Sequence, residues 1–165
     1  MAVEETRFLR VIGDIAPEST GYRDPAARRA TDRIVRDHIA AAVDALRERI
    51  GLLKASAEEE GEEDMRDDLD RIDQRMERTC EALRSADYSG IAFMEGGDSG
   101  DDALERICAY DRALLEDLDL LSTDVMGLKY ETIGNLTLRE IEGTLAAIEL
   151  KVSNRKDVFD TSGGS

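Results

Sequence analysis

From Val35 onward the apolar residues of this chain recur at steps of three and four, and that spacing leaves little choice of fold. One series runs Val35, Ile39, Ala42, Leu46, Ile50, Leu53, Ala57, and a second runs Met65, Leu69, Ile72, Met76, Cys80, Leu83. Each draws a single apolar stripe along a helix of 3.6 residues per turn, where a half-buried strand needs strict alternation. Leu104, Ile107, Cys108, Leu114, Leu115, Leu118 and Leu121 give a third, broader face. The fourth series, Leu138, Ile141, Leu145, Ile148, Val152 and Phe159, steps by 3, 4, 3, 4 and then 7 across Arg155, which is a heptad seam.

The helix breakers lie between these series. Pro17 and Pro25 are the only prolines, so the backbone beyond residue 25 is free to be helical. Asp24-Pro25 is a start signal, because aspartate caps while proline occupies the first helical position. The glycine-rich run DYSGIAFMEGGDSG, residues 87–100, reads as a connection from which Ile91, Phe93 and Met94 tuck onto the helices. A third helix ends before Gly127, KYETIGN makes a turn, and Thr137-x-x-Glu140 has the form of a capping box that opens the last helix.

The acidic stretch EEEGEED, residues 58–64, puts six carboxylates around Gly61. It admits three readings: a metal site, an acidic linker, or a turn. The alternating ligands and terminal glutamate of a calcium loop are not in place. Glycine suits the left-handed position after a helix, and Glu62, Glu63 and Asp64 suit the next helix N-terminus. A hairpin at Gly61 is therefore expected over one unbroken helix. The spacing predicts an all-α chain: an antiparallel helical bundle of about four helices, with a long helical hairpin and a short N-terminal segment. Its parts are an N-terminal segment and loop at 1–24, a bundle at 25–160, and a disordered tail at 161–165. Within the bundle come the hairpin at 25–87, the loop at 88–100, and helices at 101–126 and 137–159.

Charge narrows the function classes. Twenty Asp and eighteen Glu against eighteen Arg and four Lys give a net −16, which opposes binding to nucleic acid or anionic membranes. Such Asp-rich, Lys-poor surfaces resemble those of proteins from salt-loving organisms, whose internal salt screens the charge; an arginine-biased genome gives the same composition. No segment approaches membrane-spanning length and the first residues lack a basic leader, so a cytoplasmic location is expected.

Candidate chemistry is sparse. Cys80 and Cys108 fall on apolar stripes and read as small buried hydrophobes. With one histidine, the Glu-x-x-His pairs of a di-iron bundle cannot be built, and no metal or cofactor is expected. His38, in RIVRDHIAAAVDALRERI, resembles the acceptor of phospho-accepting histidine domains. That resemblance implies a signalling phosphotransfer module, although the Lys-Gly and Pro that follow the histidine in such domains are absent. Arg28, Arg29, Arg33 and Arg36 line one helix face in a segment of local charge +1 (residues 1–36: seven Arg, six acids). They either pair with acids on neighbouring helices or dock an acidic protein partner or phosphate. The function expected is a non-enzymatic protein that mediates protein association or self-association, as adaptor, scaffold or assembly accessory.

Overall fold

A computed structural model describes residues 21–97 and 101–160. The expected N-terminal segment up to residue 20, the end of the glycine-rich loop at 98–100, and the tail at 161–165 lie outside the described residues. Among the described residues four helices form an all-α bundle: α1 Arg28–Glu59, α2 Glu63–Ser85, α3 Asp101–Met126 and α4 Asn135–Asp160. Among the described residues no helix is long and apolar enough to cross a membrane.

The entry to α1 follows the start signal. Asp24 Oδ1 accepts from the Ala26 amide at 3.0 Å, and Pro25 opens a 3-10 turn, Pro25–Ala27, that runs directly into the helix. At the other end of α1 the hairpin forms at Gly61, whose φ is +72°. The Glu62 amide donates to Ala57 O at 2.9 Å and the Gly61 amide to Glu58 O at 3.2 Å, the paired bonds of a Schellman motif. These bonds satisfy carbonyls that the helix end leaves open. The last helix departs from expectation. It starts two residues before Thr137, because Gly134 O accepts the first helical bond, from the Leu138 amide at 3.2 Å. Glycine is a competent N-cap, and Thr137 and Glu140 lie inside the helix rather than at its cap.

The stripes meet as the spacing predicted. Val35, Ile39, Leu46, Ile50, Leu53 and Ala57 of α1 and Leu69, Ile72, Met76, Cys80 and Leu83 of α2 are buried, joined by Ile107, Leu114, Leu118 and Leu121 of α3. On α4, Leu138, Ile141, Leu145, Ile148 and Phe159 face the same core. Each buried Leu or Ile contributes about 1.5–3 kcal/mol. Arg47 to Asp73 (2.8 Å) and Lys54 to Asp70 (2.9 Å) bridge α1 and α2 and fix the hairpin register.

The helices are arranged α1–α2–α4–α3 around the bundle, each touching its two neighbours in that order. α1 and α3 run in the same direction: Arg28 reaches the chain just before α3, and Arg49 donates to Leu128 O just after it. The link from α2 to α3 therefore joins diagonally opposite helices across one end of the bundle. That path explains the burial of Ile91, Phe93 and Met94, which close the core where the helices end. The chain crosses itself tightly there: a Cβ on Gly97 would lie 2.7 Å from Ala92 O, so glycine is the residue that fits.

Candidate functional site

Under the crossing loop lies a charged group that the apolar pattern skips. Arg155 occupies the next position of the α4 seam, between Val152 and Phe159, and is 1% exposed. Its Nε and Nη2 donate to the two carboxylate oxygens of Asp111 on α3, each at 2.8 Å. Nη1 donates to Asp32 of α1 and, at 3.4 Å, to the Tyr88 hydroxyl. Nη2 also reaches the Tyr22 hydroxyl at 3.0 Å, and that hydroxyl donates to Asp111 Oδ2 at 2.7 Å. Burial alone pushes the guanidinium pKa down, but Asp111, Tyr22 and Asp32 more than reverse the shift, so Arg155 stays charged. Burial, then the Asp111 carboxylate, hold the Tyr22 phenol well above the ordinary tyrosine range. Tyr22, Tyr88, Phe93 and Phe159 surround the group, with Phe159 within 5.5 to 5.8 Å of each of the other three rings. The Arg155 guanidinium lies 4.8 Å from the Phe159 ring centroid.

Two of the four candidate docking arginines turn into this same end. Arg28, 5% exposed, donates to Tyr22 O (2.9 Å), Phe93 O (3.1 Å) and Gly97 O (2.9 Å) and stacks 4.1 Å from the Phe93 ring. Arg36 donates to Asp32 Oδ2 (3.0 Å) and to Leu83 O at the end of α2 (2.7 Å). Both are turned inward, so the expected four-arginine docking stripe is not assembled. Arg29 ties Met94 O and Glu95 of the crossing loop, and Arg33 is exposed, 3.9 Å from Asp37. The geometry is that of a clasp. Most of its donors point at carbonyl and carboxylate oxygens of the chain itself.

Elsewhere the candidates separate. The His38 imidazole is exposed on α1. Cys80 and Cys108 are buried free thiols. The six carboxylates around Gly61 are exposed, and no group of three potential metal ligands occurs among the described residues. A groove of about 490 Å³ runs between α1 and α2 beside Asp44, Arg47, Glu48, Lys54 and Asp73. Its cations already serve Asp73 and Asp70.

A further feature is the side of α4 opposite its seam. The seam is used within the core, so it cannot also be a docking surface. Outward, between Glu140 and Asp157, stand Gly143, Ala146, Ala147, Leu150, Ser153 and Asn154, none of them charged. Leu150 is 62% exposed, and Leu136, two turns before Gly143, is 71% exposed. Three of the charges flanking this face are matched by neighbouring helices. Arg75 forks onto Glu149 (3.0 and 2.9 Å), Arg71 meets Glu142 (2.9 Å), and Lys151 meets Asp117.

No protein-family model matches the chain, and searches of characterised proteins and of solved structures find no match to it.

Proposed function

We propose that this protein acts by association, as a non-enzymatic helical-bundle adaptor, scaffold or assembly accessory, and that it docks through the outer face of α4. One observation carries the reading. In a chain that is 36% charged, that helix presents about three turns of exposed surface without a formal charge, including a leucine. An uncharged strip on a −16 molecule is where a partner can approach without desolvating carboxylates. The bundle behind it is held by an apolar core along its length and by the Arg155 clasp at one end, which favours presenting the face in one arrangement. The acidic, lysine-poor remainder fits a cytoplasm of concentrated salt, where repulsion between acidic surfaces is screened.

The test compares the native chain with Leu150→Glu, each immobilised and exposed in concentrated KCl to the protein content of the cells that make it. Proteins retained by the native chain and lost by the variant identify the partner. Equal retention on both overturns the reading.

A second reading, phosphotransfer through His38, is favoured by the exposed imidazole. Acid-labile phosphate on the native chain after incubation with a phosphodonor, absent from His38→Gln, would support it.

A further inference from the structure

We infer that the occupant of the α4 face is a second copy of this chain, docked antiparallel across a two-fold axis between Ala146 and Ala147. The inference rests on the association reading above and adds the identity of the partner.

Shape is the first argument. A two-fold interface must be complementary to itself. Gly143 and Leu150 are equally spaced about the point between Ala146 and Ala147, so Leu150 of one copy falls over Gly143 of the other. The space above Gly143 is open, with nothing within 4 Å of a Cβ built there, and Leu150 projects freely. The two alanines at the axis allow the helix backbones close approach.

Charge is the second, and it sets the direction. Arg139 and Asp157 are both exposed and take part in no ion pair among the described residues. They stand eighteen residues apart, about five turns, and so lie on the same side of the strip. In the antiparallel pairing, Arg139 of each copy approaches Asp157 of the other. With the axis between the two alanines, Arg139 falls opposite Asn154, about 4.5 Å along the helix from Asp157 of the other copy, within the reach of an arginine side chain. A parallel pairing would set Arg139 against Arg139 and Asp157 against Asp157. The flanking Glu142 and Glu149 on one side and Lys151 on the other are each matched within their own copy.

A single helix pair is a small interface, so the dimer belongs to the weak, concentration-dependent class. Two copies of charge −16 also repel at long range, so association strengthens as KCl is raised toward about 1 M.

Sedimentation velocity over a concentration series in KCl, combined with single-cysteine cross-linking, tests the pairing. The native cysteines are buried and give little background. Under mild oxidation Ala146→Cys forms a disulfide-linked dimer. Leu136→Cys does not, because its counterpart in the antiparallel pair lies about 30 Å away along the helix. Leu150→Glu raises the dissociation constant by about tenfold or more while the helical circular dichroism is unchanged. Arg139→Asp weakens the dimer, and Arg139→Asp combined with Asp157→Arg restores it. A monomer at every concentration, or equal cross-linking at positions 136 and 146, overturns the inference. If that monomer still retains a different protein that Leu150→Glu loses, the second copy is removed and the association reading survives.

Discussion

Arg155 and Asp111 form a two-pronged ion pair, 2.8 Å along each prong, in which each side chain is 1% exposed. A pair so placed owes its value to being intact, because removing either member strands the other in the core. Asp111→Ala should lower unfolding stability by about 3–5 kcal/mol in urea titration. Arg155→Met should be destabilised too, because it leaves the buried Asp111 carboxylate without its cation. A loss below 1 kcal/mol in Asp111→Ala would show that the end of the bundle relaxes to admit water.

Arg28 and Arg33, about one and a half turns apart on α1, should respond in opposite ways. Arg28→Ala removes three bonds to carbonyls and the Phe93 stack, so amide exchange across residues 88–97 should accelerate and stability fall by about 2–3 kcal/mol. Arg33→Ala removes one exposed, long ion pair and should stay within about 0.5 kcal/mol of the native chain. Equal effects would contradict the inward placement of Arg28.

Gly61 offers a test by sign. Its φ of +72° penalises any Cβ by about 1–2 kcal/mol, although the space around it is open. Gly61→Ala should therefore destabilise, and Gly61→Asn less so. A continuous helix through this position gives the reverse, with alanine stabilising by about 1 kcal/mol. Thermal melts of the two variants distinguish these cases.

Cys80 should be inert in the folded protein. Burial, and next the Asp44 carboxylate, push its thiol up to about 12, against about 8.5 in an unfolded chain. As pH rises the unfolded chain loses this proton first. The contribution to stability is thus complete below about pH 8.5 and lost on the way to pH 12. Iodoacetamide at mildly alkaline pH should label Cys80 slowly until urea is added; labelling at the free-thiol rate without urea contradicts the burial.

Net charge sets the response to salt. Between about 0.1 M and 1 M KCl the screening length falls from roughly 10 Å to 3 Å. Repulsion among the surplus carboxylates should decline over that range, and the thermal midpoint should climb by several degrees. A midpoint that falls would mean that the surface ion pairs outweigh the surplus charge.

The helices and the hairpin were legible because period and glycine placement are local properties. The clasp was not, although each of its charged members sits on a seam. Asp32 lies three residues before Val35, Asp111 lies between Ile107 and Leu114, and Arg155 fills the step of seven before Phe159. A charged residue in an apolar register is the available signal. Which acid meets which base depends on how far one helix is slid along another, and the crossing loop sets that. Arginine spacing failed for a related reason: it groups Arg28, Arg29, Arg33 and Arg36 near one face without saying which of them turn toward the loop. The outer face of α4 was readable from Leu136, Gly143 and Leu150, seven residues apart, but an apolar seam on the other side of the same helix draws the eye first.

The diagonal link between α2 and α3 also orders events in time. Each hairpin can assemble from neighbouring sequence, whereas the Tyr22–Arg155 contact joins residues 133 positions apart and waits until both hairpins have docked. Weakening it should quicken unfolding while leaving the refolding rate nearly unchanged, so this clasp governs how long the native state lasts more than how fast it is reached.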